Sequence, residues 1–377
     1  MSEAAGSLPS RELRERVERT LRPVLAELAP YPVSPPWPGI KLELMENNLL
    51  DPVHRTPELL ALRARLAERI SHAAFNRYPD PQAPRLKALL RERFKIDPAW
   101  EILLGNGSDE IIELITRATA ACGGTVLAPE PTFSVFRHAA LACGARFVGV
   151  SLRPDFSLDE QALLAAVERE EPELIWLVYP NNPTGNLYAR DAIERVIAAA
   201  PGLVVIDEAY EAFSGGASFL PELARYPQLL VMRTLSKIGL AGVRLGYLIG
   251  RGEWLNAIDK LRGPFNVSVL AQTAGEVLLE AHALLEEQAR TIIMSRERLT
   301  AALAELPGVI PFPSHANFVL ARFPDSPKVF EALKARGILV RDLSRSHPLM
   351  HNTLRLSIGT PEEIEALIGA LREILTP

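Results

Sequence analysis

Short apolar runs alternate with amphipathic windows through the middle of the chain. The apolar runs are 101–104, 125–127, 146–150, 174–178, 203–206, 229–232 and 247–249. Between them, windows such as 110–121 and 192–200 carry apolar residues at the spacing of one helix face. Strands that alternate with helices at this spacing predict an α/β fold whose sheet is mostly parallel. The unbroken apolarity of 203–206 is typical of a strand covered on both faces.

Both ends of the chain follow other patterns. Residues 8–29 predict an amphipathic helix, residues 30–38 hold five prolines and predict an extended arm, and residues 57–74 predict another helix. Beyond residue 265 we predict a small α+β unit, with a long helix over 271–304, a strand over 317–321, a helix over 327–336, strands over 338–341 and 354–358, and a last helix from Pro361.

These patterns predict three parts. Residues 1–50 form an N-terminal helix and arm that pack with the small domain, residues 51–265 form a large domain, and residues 266–377 form the small domain. The chain has 377 residues, of which 48% are hydrophobic and 23% are charged. This length and composition favour two globular domains with sizeable cores.

Charge and apolar run lengths bear on partners and location. The formal net charge is -5, so the chain has no basic excess with which to neutralise phosphates, and we predict no nucleic-acid partner. No apolar stretch is long enough to span a membrane, and the first 14 residues lack the apolar core of a secretory signal. We therefore predict no membrane partner and a cytoplasmic location.

Cysteine usage argues against a metal site. Cys122 and Cys143 are the two cysteines, and they stand in no CxxC pattern and beside no histidine cluster. We predict two buried, reduced thiols rather than a zinc site or a disulfide, and no bound metal.

Polar loops follow four of the predicted strands, at the carboxyl ends where a parallel sheet places its ligands. The first loop reads GNGSDE, with Ser108 and Asp109 at the start of a predicted helix. Its free N–H groups can bind an anion, although a plain capped turn would look the same. The second loop reads YPNNPTG, in which Asn182 either offers its amide to a ligand oxygen or shapes a turn.

The third loop contains Asp207 and Tyr210, directly after the apolar run 203–206. A carboxylate at the end of a buried strand is costly unless it meets a cation. Asp207 therefore requires a positive partner, for which a protonated pyridine nitrogen and an arginine are both suitable.

The fourth loop reads RTLSK and ends at Lys237, with Arg244 a few residues further on. A desolvated lysine loses its proton more readily and becomes a nucleophile toward aldehydes. Ser236 and Arg244 can bind a phosphate together. The four loops thus supply an amine, an acid, a hydrogen-bond donor and a phosphate cup, as a cofactor with an aldehyde, a pyridine ring and a phosphate requires.

The string TLSKIGLAGVRLGY around Lys237, with the other motifs in the same order, resembles the fold type I, class I/II aminotransferases over nearly the whole chain. The resemblance implies a three-layer α/β/α large domain with a mostly parallel sheet, plus a smaller α+β domain. It also implies that pyridoxal 5′-phosphate (PLP) forms a Schiff base with Lys237.

The resemblance further implies roles for single residues. Asp207 would pair with the pyridinium nitrogen, and Asn182 and Tyr210 would donate to the ring hydroxyl oxygen. The remaining cofactor contacts would be the stacking ring of Phe133 and the phosphate ligands Ser108, Asp109, Ser236 and Arg244. Tyr78 would reach the phosphate of the neighbouring subunit, which implies a homodimer.

More narrowly, the chain is similar to the branch of the family that transfers the amino group of histidinol phosphate to 2-oxoglutarate in histidine biosynthesis. The similarity implies that Arg355 clamps the α-carboxylate and that Arg341 meets the substrate phosphate. The other pocket residues implied are Asn266, Asn317, Glu46 and Asn47. The arm departs from the family's usual Glu-Asn-Pro, because Asn48 stands at the proline position.

Other functions stay open at this point. Within PLP chemistry, the alternatives are an aromatic amino acid aminotransferase and a phosphothreonine-type decarboxylase on the same fold. A non-catalytic PLP-binding regulator is disfavoured, because the proline-rich segment before the sheet shows no helix-turn-helix. A nicotinamide-dependent dehydrogenase would need GxGxxG after its first strand, and GNGSDE lacks the third glycine.

Overall fold

The computed structural model describes residues 11–26, 28–30 and 33–375. Its helices are α1 (Arg11–Thr20), α2 (Pro57–Ser71), α3 (Pro84–Phe94), α4 (Ser108–Thr119), α5 (Val135–Cys143), α6 (Glu160–Glu170), α7 (Arg190–Ala199), α8 (Gly252–Asp259), α9 (Val269–Glu280), α10 (His282–Ala304), α11 (Ser326–Ala335) and α12 (Pro361–Leu375). Within the described ranges, no helix is both long and apolar enough to cross a membrane.

The strands form three sheets. They are β1 (Ile40–Lys41), β2 (Glu101–Asn106), β3 (Thr125–Glu130), β4 (Arg146–Ser151), β5 (Leu174–Val178), β6 (Leu203–Asp207), β7 (Leu229–Thr234), β8 (Leu245–Gly250), β9 (Ile310–Pro311), β10 (Phe318–Arg322), β11 (Ile338–Leu339), β12 (Arg341–Asp342) and β13 (Thr353–Ser357). The large sheet has the order β2-β8-β7-β6-β5-β3-β4, and β8 runs in the direction opposite to the other six strands.

Apolar side chains cover both faces of the large sheet. Along β6, Val204 and Ile206 belong to one buried cluster, whereas Leu203 and Val205 belong to another on the opposite face. This alternation places helices on each side, so the predicted three-layer α/β/α fold with a mostly parallel sheet is confirmed.

The C-terminal part builds a second, smaller sheet of order β12-β13-β10-β9 with its own buried cluster. The arm joins this part, because β1 pairs in parallel with β11 and the Leu42 N–H donates to the Leu339 carbonyl at 2.7 Å. Helix α9, in contrast, packs against α2 and α3, and Val277 shares the cluster of Leu62 and Leu86.

Some predicted element boundaries are wrong. The helix predicted over 8–29 ends at Thr20, because Pro23 cannot continue it. A separate 3-10 turn follows at Pro23–Ala26. Residues 8–10 and 27 of the predicted helix lie outside the described residues. The helix predicted over 271–304 is two helices that meet at Ala281. The strand predicted over 338–341 is divided between β11 and β12, which pair in different sheets.

The prediction of two buried thiols is also wrong for Cys122, which is exposed, while Cys143 is half-buried. Cys122 follows the end of α4 in a surface turn with φ +63°, so no element covers its side chain.

A buried ion pair fixes the ends of β6 and β7. Glu208 and Arg233 have side chains that are 0% and 5% exposed, and two guanidinium nitrogens of Arg233 lie 2.8 and 3.0 Å from Glu208 Oε2. Ser218 also donates to the same carboxylate. Because Glu208 directly follows Asp207, this pair determines where the third polar loop begins.

We therefore expect Arg233→Met to destabilise the fold by about 3–5 kcal/mol, because the Glu208 carboxylate would stay buried without its cation. Urea unfolding followed by circular dichroism measures the loss. The control is Arg225→Met, which removes an exposed arginine paired with Glu194 and should cost less than about 1 kcal/mol. Equal losses of unfolding free energy in the two variants would show that the buried Glu208–Arg233 pair stabilises the fold no more than an exposed pair does.

Candidate active site

The four polar loops lie at one edge of the large sheet. Strands β5, β6 and β7 are parallel neighbours, and β2 runs in the same direction because β8 is antiparallel to both β2 and β7. The carboxyl ends of these strands therefore meet at the same edge, where open α/β sheets bind ligands. The structure brings together the loops that the sequence pattern singled out separately.

Lys237 lies in a π-type turn, Ser236–Leu240, directly after β7. Its Nζ donates to the carbonyl of Leu44 in the arm at 3.3 Å and lies 6.0 Å from the centre of the Tyr210 ring. Burial and the nearby Arg355 charge lower the pKa of the Lys237 ammonium to about 8. A substantial fraction of this amine is thus neutral, and nucleophilic, near physiological pH.

Asp207 ends β6 and is 4% exposed. One carboxylate oxygen accepts from the Ala209 N–H at 3.0 Å. Burial raises the pKa of this carboxyl to about 7, and the negative charge of Asp109 acts in the same direction. The charge of Lys237 offsets only part of this rise, and Arg233 is engaged by Glu208. A bound positive group would stabilise the ionised form.

An anion cradle opens beside these residues. Helix α4 begins after Gly107, which supplies no side-chain cap, so the first N–H groups of the helix are available to a ligand. Gly107 has φ +82°, and a Cβ there would collide with the Arg244 guanidinium. Arg244 also binds Asp109, with Nη2 3.0 Å from Oδ2. The Arg244 guanidinium therefore lies next to the start of α4, where no side chain caps the free N–H groups.

Ser236 is held at this cradle by its neighbour. The Thr234 hydroxyl accepts from the Ser236 N–H at 3.1 Å, donates to the Leu245 carbonyl at 3.1 Å and lies 2.9 Å from Ser236 Oγ. Thr234 therefore fixes the position of the Ser236 hydroxyl. The predicted phosphate ligands lie in one region, although their role in binding phosphate stays a prediction.

Asn182 and Arg355 meet across the two sheets. Arg355, on β13, donates from Nη1 to Asn182 Oδ1 at 2.7 Å and from Nη2 to the Glu43 carbonyl at 2.8 Å. Because the Asn182 oxygen accepts from Arg355, the amide nitrogen is the end that can donate to a ligand. The geometry therefore joins a predicted cofactor residue to a predicted carboxylate clamp.

Two aromatic residues of the site, Tyr210 and Phe133, each pack against another ring. The Tyr210 hydroxyl lies 3.9 Å from Met45 Sδ in the arm, and its ring packs edge-on against Phe318 with centres 5.3 Å apart. Phe133 follows β3 at the same sheet edge and packs edge-on against Phe136 at 5.6 Å. Tyr210 and Phe133 thus reach the site from different strands.

The arm closes the site from the side of the small sheet. Asn47 Nδ2 donates to the Ile238 carbonyl at 3.2 Å and to Gln288 at 2.9 Å, so it contacts the segment that carries Lys237. Glu46 pairs with Lys41 at 3.0 Å. Asn48, at the position where the family usually has proline, donates to Glu363 at the start of α12 at 2.8 Å.

The other predicted pocket residues divide into two groups. Arg341 lies directly opposite Arg355 in the β12–β13 pairing, and Asn317, fully buried, donates to the Met45 carbonyl at 2.9 Å. Asn266 instead contacts the β2–α4 junction, where its amide donates to Glu110 at 2.7 Å and to the Leu104 carbonyl at 3.2 Å. Its predicted part in the substrate pocket stays a prediction.

Tyr78 stands apart from the pocket of its own chain. Its side chain is 79% exposed and stacks on Phe265, with ring centres 4.4 Å apart. Two aromatic rings exposed together are unusual on the surface of a monomer.

Sequence reasoning missed Glu43, which is 1% exposed and lies between the two arginines of the small sheet. The available signal was a charged residue flanked directly by Leu42 and Leu44 in the arm. It also missed Thr234, whose hydroxyl orients Ser236.

Comparisons with known proteins agree with this geometry. Residues 39–371 match the family described as aminotransferase class I and II. The chain is 46% identical to a histidinol-phosphate aminotransferase of Chromobacterium violaceum, over 94% of this chain and 98% of that protein. It is also 46% identical to the protein of that name from Methylibium petroleiphilum, over 97% of each chain.

A solved structure is similar over the same extent. The histidinol-phosphate aminotransferase of Sinorhizobium meliloti, in complex with pyridoxal-5′-phosphate, superposes with a TM-score of 0.80 at 27% identity and covers 98% of both chains.

The lowered pKa of Lys237 predicts how its amine reacts. When the protein is freed of cofactor and mixed with PLP, the initial rate of adduct formation should rise with pH through a midpoint of about 8, because only the neutral amine attacks. An ordinary lysine would titrate near 10.4. Borohydride trapping and mass spectrometry measure the adduct.

Two variants make this measurement specific. Lys237→Ala should give no adduct at this position. Arg355→Gln removes a nearby positive charge and should move the midpoint upward, while the exposed Arg345→Gln should leave it in place. A midpoint near 10 in the unmodified protein would contradict the assignment of a buried, deprotonated amine.

Proposed function

The chain belongs to the class I and II aminotransferases, and from this premise we propose that it transfers the amino group of histidinol phosphate to 2-oxoglutarate in histidine biosynthesis. The choice of histidinol phosphate as the amino donor rests on one observation. Relatives with 46% identity along nearly their whole length bear the name histidinol-phosphate aminotransferase. The family match over residues 39–371 takes in the end of the arm and the small sheet, where the donor would bind.

The residues of the site fit PLP. Asp207 is a buried carboxylate whose pKa of about 7 would fall on meeting a cation, as the protonated ring nitrogen would supply. Gly107, Ser236 and Arg244 form a cradle for the phosphate, and Phe133 offers an aromatic face. When bound, PLP supplies an aldehyde that condenses with amines and a ring that accepts electrons from the substrate carbon.

In this proposal Lys237 acts twice. Its amine would hold the cofactor and would be released when the amine of the substrate takes its place. The released amine would then be a base able to remove the proton from the substrate Cα and to return it in the course of the transfer. Its pKa of about 8 suits a base that works near neutral pH. The same residues, in reverse order, transfer the amino group to 2-oxoglutarate in a ping-pong cycle.

The other side chains orient the reacting groups. Asn182 donates from its amide nitrogen to the ring hydroxyl oxygen, with Tyr210 beside it, and Arg355 holds the carboxylate of 2-oxoglutarate in the bidentate manner that guanidinium favours. Arg341, opposite Arg355, binds the phosphate of the donor. The arm residues Glu46 and Asn47 would contact the substrate from this side.

We further propose that two copies of the chain form the working enzyme. The exposed Tyr78–Phe265 stack is well placed to be covered by a partner, and Tyr78 would then donate to the cofactor phosphate in the neighbouring site. Burial of such apolar surface is the usual driving force for a stable homodimer.

The donor is tested by comparing kcat/KM for histidinol phosphate and for phenylalanine, each with 2-oxoglutarate as acceptor. We expect histidinol phosphate to be preferred by at least about 10²-fold, because a donor that lacks the phosphate would leave Arg341 without its anion. A preference for phenylalanine would assign the chain to aromatic amino acids instead. Release of carbon dioxide from phosphothreonine would indicate the decarboxylase.

The role of Asp207 is tested by Asp207→Asn. An uncharged amide cannot keep the ring nitrogen protonated, so kcat should fall by roughly 10²–10³-fold and PLP should dissociate more readily. Stopped-flow turnover and dialysis against buffer measure the two effects. Asp191→Asn, at an exposed carboxylate on α7, is the matched control. Unchanged turnover in Asp207→Asn would rule out this role.

A further inference from the structure

Glu43 is a buried carboxylate that the reaction described above does not use. The residue is 1% exposed, and Oε1 has no hydrogen-bond partner among the described residues. Oε2 accepts from the hydroxyl of Ser34, in the proline-rich part of the arm, at 2.6 Å. A buried carboxylate with an unfilled acceptor is costly, so its retention requires a compensating charge.

The compensating charge comes from Arg341 on the small sheet, and Arg355 on the adjacent strand holds the backbone of Glu43. Arg341 and Arg355 are directly opposite in the β12–β13 register, and Arg355 donates to the backbone carbonyl of Glu43. The Arg341 guanidinium lies 4.0 Å from Glu43 Oε2. Glu43 thus supplies the negative charge beside the pair of cations to which the proposed function assigns the substrate anions.

The contact between Glu43 and Arg341 is loose. At 4.0 Å it lies at the limit of an ion pair, whereas a bidentate arginine–carboxylate pair has two contacts of about 2.7–2.9 Å. The Arg341 side chain also keeps 22% of its surface exposed. Arg341 can therefore turn toward an incoming anion at small cost, while Ser34 keeps the carboxylate in place.

We propose that Glu43 is an internal counter-ion that competes with the substrate phosphate for Arg341 and so sets the affinity of the pocket for anions. This inference rests on the proposed function in placing an anion on Arg341. While the pocket holds no substrate, Glu43 balances the charge of Arg341. When a phosphate binds, Arg341 moves to it and the dianion also meets the like charge of Glu43, which weakens binding and speeds release of the phosphate-bearing product.

The test uses the PLP-loaded enzyme and inorganic phosphate as the probe, at constant ionic strength. Phosphate is measured as a competitive inhibitor of the glutamate half-reaction, followed by the cofactor absorbance. We expect Glu43→Gln to lower the inhibition constant of phosphate roughly tenfold, because a like charge close to the anion is removed. With histidinol phosphate, KM should fall while kcat does not rise. A merely structural role would raise KM or leave both constants unchanged.

Three variants make the result specific. Glu331→Gln changes the net charge equally at an exposed site on α11 and should leave the inhibition constant unchanged. Ser34→Ala removes the other partner of Glu43 but keeps its charge, so phosphate should bind nearly as in the unmodified enzyme. In an Arg341→Gln background, Glu43→Gln should lose most of its effect, because the guanidinium for which Glu43 and phosphate compete is absent.

Unchanged or weaker phosphate binding in Glu43→Gln would overturn the proposal, and so would an equal gain in the Arg341→Gln background. If Glu43→Gln does not fold, the shorter side chain of Glu43→Asp moves the carboxylate away from Arg341 and should lower the inhibition constant of phosphate about threefold. An inhibition constant that does not decrease in Glu43→Asp would also overturn the proposal. Histidinol phosphate is assayed with the unmodified enzyme in parallel. If the unmodified enzyme does not turn over histidinol phosphate, the proposed donor is rejected. The role of Glu43 is tested separately, by the inhibition constant of phosphate.

Discussion

The burial of the Asp207 carboxylate at the end of β6 is the constraint on which the rest of the site depends. The strand before it is wholly buried, and the neighbouring carboxylate, Glu208, already has its cation in Arg233. Asp207 therefore keeps a raised pKa until a positive group arrives. In the function proposed above, that group would be the ring nitrogen of the cofactor. The buried carboxylate would then be stabilised as an anion only in the cofactor-loaded enzyme.

The arm transmits this arrangement to the small sheet. It pairs with β11 on one side, accepts from Lys237 at the Leu44 carbonyl and accepts from Arg355 at the Glu43 carbonyl. One extended segment therefore contacts both Lys237 and Arg355, to which the proposed function assigns the chemistry and the binding of the substrate carboxylate. A displacement of the arm would break both hydrogen bonds.

The local patterns predicted the large sheet well because its strands are short, apolar and separated by clear turn signals. They also singled out Lys237 and Asp207 as charged residues in apolar surroundings, and the structure places both at the carboxyl-end edge of the large sheet. They failed where tertiary contacts decide: nothing in the local pattern separates α9 from α10 at Ala281, or divides 338–341 between two sheets. Glu43 was missed for the same reason, since its significance depends on Arg341, about 300 residues away in sequence.

Asn48 shows how the chain compensates for a departure from its family. Proline would restrict the arm through its fixed φ, whereas Asn48 restricts it through a hydrogen bond to Glu363. Glu363 also accepts from the Thr360 N–H, and its own N–H donates to the Thr360 hydroxyl, which is the reciprocal pairing of a capping box. The arm is therefore tied to the first turn of α12, close in sequence to the end of the strand that carries Arg355. A hydrogen bond from Asn48 thus restricts the arm where a proline would do so through its fixed φ. The position of the arm therefore depends on the positions of the small sheet and α12.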